Sequence, residues 1–169
     1  ARPAEGRRNA GRRLAWVEGS RAGEACGPVF NRRGTGRYPS GMDDRNLVAV
    51  AEQAAATSKV LRGAREGATA KFDDGRVFLG CKMEFADPSL DLDAISAAVA
   101  SGRVQGGRKV VRIGLYSPIG DGLPVVTPAA LRRLREVGAP GLALILSSGA
   151  GARTERSLAE LLAAAGIAE

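Results

Sequence analysis

The first patterned part of the chain reads as one helix followed by two strands. Apolar residues recur at helical spacing after Asp43 or Asp44, either of which suits an N-cap, and predict a helix to about Leu61. Apolar runs over 68–72 and 76–83 then predict two strands. The Asp-Asp-Gly sequence between them has the composition of a hairpin turn, because glycine readily adopts the positive φ that such turns need.

The second part alternates helices with single strands. The Thr127-Pro128 pair predicts an N-cap and the first position of a helix, since proline suits that position. Further helices are predicted over 90–101 and 156–165, and strands over 109–116 and 141–147. The order α-β-β-α-β-α-β-α predicts an α/β fold, a three-layer α/β/α sandwich with a mixed central sheet.

Charge divides the chain into two regions. Residues 1–41 form a basic, Arg/Gly-rich N-terminal extension without helical or strand periodicity, and residues 42–169 form the patterned domain. The composition of the extension favours a tail, or a stretch upstream of a start at Met42, with a nucleic-acid-binding arm as the alternative. The first 40 residues carry a net charge of +6 and the remainder only +1, which argues against nucleic acid as a partner of the domain.

Cysteine and hydropathy constrain the compartment. The two cysteines, Cys26 and Cys81, are too far apart to suggest a disulfide framework, and no secretory signal is visible. No apolar run has the roughly 18 residues that a membrane helix requires. We therefore expect a cytoplasmic protein without a membrane partner.

Two stretches carry a family resemblance. Gly67-Ala68-Thr69-Ala70 leads through Asp74-Gly75 to Gly80-Cys81-Lys82-Met83-Glu84, and a second motif lies at Thr127-Pro128-Ala129-Ala130. Together with the order of elements, these stretches resemble the cytidine deaminase family over residues 43–166. The resemblance implies the cytidine deaminase-like fold, a nucleoside-like small-molecule ligand and a homodimer or homotetramer.

The chain differs from the family at the positions of the family's metal ligands and catalytic glutamate. The positions that match the family's three zinc ligands are Asp93, Thr127 and Ala130, and the position that matches its proton-shuttling glutamate is Ile95. The chain has no histidine, and two distant thiols cannot build a zinc site within it. We therefore expect no zinc, no other cofactor and no hydrolytic deamination.

The candidate site residues follow from the same alignment. The resemblance implies that Glu84 contacts ligand hydroxyls. Lys82 replaces the family's Asn, and we expect it to contact an anionic group of the ligand, with a simple solvated Lys–Glu ion pair as the alternative. The resemblance also places Asp93 and Thr127 in the former metal pocket as candidate catalytic residues, where two helix N-termini favour polar ligands. Asp93 also suits a structural role in the first helical turn. Asp121 is a candidate ligand contact at the end of a strand, or a turn residue.

Two further alternatives stay open at this point. The first is a Mg²⁺ site formed by Glu84, Asp91 and Asp93, because Mg²⁺ prefers carboxylate ligands. The other concerns function. The sequence favours a zinc-free cytidine deaminase-like protein that binds a nucleoside or related polar ligand, either non-catalytic or repurposed as a metal-independent enzyme using Asp93. The alternative is a structural or regulatory partner subunit of an active homologue, with the basic extension contacting that partner or RNA.

Overall fold

The computed structural model describes residues 44–118 and 122–168. Its helices and strands follow one another in the order α1 Asp44–Ala56, β1 Gly67–Phe72, β2 Val77–Cys81, α2 Ala94–Val104, β3 Val110–Ser117, α3 Pro128–Val137, β4 Gly138–Ser148, β5 Arg153–Ser157 and α4 Leu158–Ala164, with a short 3₁₀ turn at Pro88–Leu90. The predicted extension 1–41, the candidate cap Asp43 and the candidate ligand contact Asp121 lie outside the described residues.

One five-stranded sheet of order β2-β1-β3-β4-β5 forms the middle layer. Strands β3 and β4 are parallel, and the other neighbouring pairs are antiparallel, so the sheet is mixed. Helix α1 packs on one face, against β1 and β3, while α2 packs on the opposite face, against β2 and β1. Helix α4 packs on β4 and β5. The predicted three-layer α/β sandwich with a mixed sheet is confirmed.

Glycine allows both helices to approach the sheet closely. A Cβ atom at Gly67 would lie 2.0 Å from the Ala51 carbonyl oxygen of α1, and one at Gly80 would lie 2.2 Å from the Ala98 nitrogen of α2. These distances are far below van der Waals contact, so the motif that carries the family resemblance also fixes the packing of two helices.

The core is aliphatic, as the low aromatic content requires. Its main cluster lies between the sheet and α2 and α3, and consists of side chains such as Ile95, Val99, Ile113, Leu134 and Leu144. Phe72 and Phe78 add the aromatic contact of this cluster, with ring centroids 5.4 Å apart in an edge-to-face arrangement. Among the described helices, none is long and apolar enough to cross a membrane.

The predicted end of α1 and start of α2 need correction. Helix α1 ends at Ala56 rather than Leu61, because the Thr57 hydroxyl donates back to the Ala54 carbonyl oxygen and the chain then leaves the helix to run beside residues 82–84. Helix α2 begins at Ala94 rather than Leu90. Asp87 caps only a single 3₁₀ turn, and Asp93 is the N-cap of α2 instead of a residue of its first turn.

The region after β4 contains a strand that the pattern did not predict. Residues 153–157 pair antiparallel with β4 as β5, and the glycine-rich segment before them is the turn of this hairpin, with Gly151 at φ +86°. Helix α4 therefore starts at Leu158 rather than Arg156. Ser157 caps it, and Glu160 completes the capping box by accepting the Ser157 N–H.

Candidate functional site

A small cavity lies where the N-termini of α2 and α3 meet. Its lining combines polar groups with an apolar wall and consists of Glu66, Asp93, Ala94, Ile95, Leu115, Val125, Val126 and Thr127. The cavity volume is about 10 Å³, near the minimum for one water molecule. This volume is far below the roughly 300–1,000 Å³ of typical ligand pockets, so a nucleoside-sized ligand requires the walls to separate.

Thr127 reaches the cavity because it caps α3. Its backbone is extended, and its hydroxyl oxygen accepts a hydrogen bond from the Ala130 N–H at 3.1 Å. Pro128 follows at the first helical position, as predicted from the sequence. No acceptor for the Thr127 hydroxyl hydrogen is present among the described residues, so this group is available to donate to a ligand.

Asp93 also lines the cavity, but its carboxylate is already engaged. One oxygen accepts from the Ser96 N–H at 2.8 Å, and the other accepts from the Ser96 hydroxyl at 2.6 Å. Arg133, on α3, donates to the Ser96 hydroxyl oxygen at 2.6 Å and lies 3.3 Å from the second Asp93 oxygen. Asp93 thus caps α2 and joins it to α3 through Ser96 and Arg133.

Glu66 is a cavity residue that the sequence did not single out. It directly precedes β1, and its main chain is fixed from two sides, because its carbonyl oxygen accepts from the Ser58 hydroxyl at 2.7 Å and from the Lys82 N–H at 2.9 Å. Its side chain is only 17% exposed. Burial raises the pKa of Glu66 above its ordinary value, and the nearby Lys82 ammonium offsets part of this rise.

Glu84 does not line the cavity, although it was expected to share it with Asp93 and Thr127. Its side chain is 4% exposed and accepts hydrogen bonds from the N–H groups of three consecutive residues, Leu61, Arg62 and Gly63, at 2.5–3.1 Å. The Arg62 N–H contributes most, and the three N–H groups outweigh burial and lower the pKa of Glu84 to about 2.

Lys82 lies between the two acidic side chains. Its ammonium nitrogen is 3.3 Å from a Glu84 oxygen and 4.0 Å from a Glu66 oxygen. The Lys82–Glu84 ion pair that the sequence left open is therefore present, and it is largely buried rather than solvated. The other predicted ligand contact, Asp121, lies outside the described residues.

The carboxylates that the sequence suggested for Mg²⁺ are separated by their own partners. Asp91 is bound by the Arg62 guanidinium at 2.7 and 2.9 Å and by the Phe85 N–H at 2.9 Å. Glu84 and Asp93 each hold the different donors described above. Within residues 44–118 and 122–168, no group of three His, Cys, Asp or Glu side chains is placed to hold a metal ion.

The donors at the cavity also do not fit the zinc that the family resemblance implies. Of the three matching positions, Ala130 offers only a buried methyl group, Thr127 offers a hydroxyl, and both oxygens of Asp93 already accept hydrogen bonds. A catalytic zinc site normally has three nitrogen, sulfur or carboxylate ligands. Cys81 lies at the end of β2 and is not part of the cavity lining.

Comparison with known proteins agrees with the motifs. No protein-family model and no curated protein matches the sequence. Among solved structures, cytidine deaminase from Burkholderia pseudomallei is 25% identical with a TM-score of 0.67, and the match covers 71% of this chain and 96% of that one. The Mycobacterium tuberculosis enzyme is 29% identical with a TM-score of 0.60, and the match covers 71% and 94%.

Cytidine deaminase from Mycobacterium leprae gives a similar result, at 25% identity and a TM-score of 0.58 over 70% of this chain and 95% of that one. These matches confirm the resemblance drawn from the motifs. The chain has the fold of the cytidine deaminases and is related to the cytidine deaminase-like superfamily.

Proposed function

We propose that this chain binds a nucleoside or a related small polar ligand at the cavity between α2 and α3, and that it does not carry out zinc-dependent hydrolytic deamination. The observation that carries the proposal is the combination of a cytidine deaminase fold with a changed donor set. A hydroxyl and two carboxylates line the cavity beside apolar side chains, a composition common in ligand sites.

The positions of the two helices support a polar ligand. Two helix N-termini meet at the cavity, and exposed N–H groups at such ends favour electronegative atoms. Asp93 and Thr127 already satisfy one N–H group each, those of Ser96 and Ala130. The ligand would therefore meet the Thr127 hydroxyl and the remaining polarity of the helix ends rather than a metal ion.

A thermal-shift screen with cytidine, uridine and their nucleotides at millimolar concentration tests this function, because binding to the folded state raises the melting temperature. The Thr127→Ala and Ser157→Ala variants form a matched pair. Each loses a helix N-cap hydroxyl, at a cost of about 0.5–2 kcal/mol, but only Thr127 lines the cavity. We expect the ligand-induced shift to decrease for Thr127→Ala alone, and absence of any shift in the unmodified chain would refute the proposal.

A surface feature favours a second role. Three large apolar side chains, Leu61, Phe85 and Leu90, are 66%, 45% and 62% exposed beside the Arg62–Asp91 ion pair. Clustered apolar exposure is typical of protein interfaces. Light scattering separates the candidates: a homodimer or homotetramer supports a self-contained binder, whereas a monomer that is unstable alone supports a partner subunit of an active homologue.

A further inference from the structure

The acidic side chains near the cavity differ in how many hydrogen bonds their oxygens accept. Glu84, Asp91 and Asp93 each accept at least three hydrogen bonds or ion-pair contacts from the protein. The Glu66 carboxylate accepts no hydrogen bond from any described residue, and its one ion-pair partner there, Lys82, is 4.0 Å away. Glu66 is therefore the acid at this cavity whose oxygens are available.

Building an acid into a partly buried position without donors is unfavourable in the free protein. Desolvation of an ionised group costs free energy unless hydrogen bonds replace the lost water. The raised pKa of Glu66 reflects that cost. A ligand that brings an N–H group to this carboxylate offsets that cost, so this hydrogen bond contributes to the binding free energy.

We propose that Glu66 is the ligand-contacting acid of this cavity, and that it selects nitrogen heterocycles with an exocyclic amino group over those with a carbonyl oxygen at the same place. The inference rests on the proposed ligand-binding function. An ionised carboxylate has acceptors only, so it hydrogen-bonds an amino group and repels a carbonyl oxygen.

Thr127 offers a hydrogen-bond donor, whereas the Glu66 carboxylate offers acceptors. The Thr127 hydroxyl hydrogen has no acceptor within residues 44–118 and 122–168, which suits a carbonyl oxygen elsewhere on the ligand. The apolar side chains of Ile95, Leu115 and Val126 form the remaining wall and suit a flat ring. An acceptor, a donor and an apolar wall together describe an amino-substituted, carbonyl-bearing heterocycle.

Calorimetric titration of the full chain at pH 7 with cytidine and uridine tests the selection, because the two ligands differ by an amino group against a carbonyl oxygen. We expect cytidine to bind at least about tenfold more tightly, since a hydrogen bond to a charged group is stronger than one between neutral groups. In Glu66→Gln this preference should fall to less than about threefold. Glu136→Gln is the control, because Glu136 is 72% exposed and does not line the cavity, and it should retain the preference.

The outcomes separate the two proposals. If neither nucleoside binds the unmodified chain, the proposed function fails and this inference fails with it. If both bind and Glu66→Gln keeps the cytidine preference, the function stands and the role of Glu66 is refuted. A second measurement follows binding to the unmodified chain: cytidine should shift the ¹³C resonance of the Glu66 carboxyl group and leave that of Glu84 unchanged, and an unchanged Glu66 resonance at saturation would also refute the role.

Discussion

Two glutamates on either side of Lys82 have opposite surroundings. Glu84 accepts from three consecutive N–H groups and pairs with the Lys82 ammonium. Glu66 lines a cavity, and among the described residues the Lys82 ammonium, 4.0 Å away, is its one ion-pair partner. Burial raises the pKa of Glu66, whereas the N–H donors, that of Arg62 first, lower the pKa of Glu84. The difference indicates that one acid fixes the chain, and the other remains available to a ligand.

The contrast also indicates how the chain holds the elements around the cavity in place. Glu84 holds residues 61–63 against the segment after β2, and Asp93 holds α2 to α3 through Arg133. Both contacts are internal to the protein and need no ligand. The chain itself therefore holds the elements around the cavity in place, and within residues 44–118 and 122–168 the Glu66 carboxylate accepts no hydrogen bond and the Thr127 hydroxyl hydrogen has no acceptor.

The largest decrease in melting temperature is expected when the Glu84 contacts are lost. In Glu84→Gln one acceptor oxygen is replaced by a donor NH₂ group that opposes the N–H groups of residues 61–63, so buried donors lose their partner. We expect a lower melting temperature than for Asp93→Ala or Glu66→Gln, measured by circular dichroism. Glu136→Gln, at an exposed position, serves as the control, and equal melting temperatures for Glu84→Gln and this control would contradict a structural role of Glu84.

An intermediate effect is expected at Asp93. Asp93→Ala removes the N-cap of α2 and leaves Arg133 without its acidic partner, at a cost of about 0.5–2 kcal/mol in the free energy of unfolding. Chemical denaturation measures this cost. Ser157→Ala removes a cap of the same kind from α4 and calibrates it, and a loss at Asp93 no larger than the error of the measurement would show that the α2–α3 link contributes nothing.

The smallest effect on stability is expected for Glu66→Gln, and its sign is opposite to that of Glu84→Gln and Asp93→Ala. A folded-state pKa above the unfolded value means that the contribution of Glu66 to stability is full below its ordinary value of 4.5 and is lost as pH rises through the folded pKa. Glu66→Gln removes the ionisation, so at pH 7 its melting temperature should equal or slightly exceed that of the unmodified chain. A clear decrease would show that Glu66 is structural.

The sequence predicted the fold because the residues that carry it act locally. The glycines of the Gly67–Gly80 region, the hairpin turn and the Thr127-Pro128 cap each specify their own element, and all three are found where they were predicted. Strand β5 was missed because Arg-Thr-Glu-Arg-Ser has no apolar alternation. It is an edge strand held by backbone pairing with β4, and such pairing leaves no mark in a hydropathy pattern.

The site was harder to predict because its partners are distant in the chain. Glu66 reaches the cavity from the loop before β1, and Arg133 reaches Asp93 across 40 positions of sequence. The one feature of the sequence that marks Glu66 is its position, as a charged residue directly before the buried strand β1. Nothing in the spacing indicated that residues 61–63 would satisfy Glu84, since that depends on where α1 ends.

The contrast between the two glutamates is tested most directly by a ¹³C NMR pH titration of the glutamate carboxyl groups, assigned with the Glu66→Gln and Glu84→Gln variants. Glu66 should titrate above 4.5, while Glu84 should remain ionised as pH falls through 4.5 toward about 2. If Glu66 titrates at or below 4.5, donors or solvent stabilise its ionised form in the free protein, and the contrast between the two glutamates on which its assignment rests is wrong.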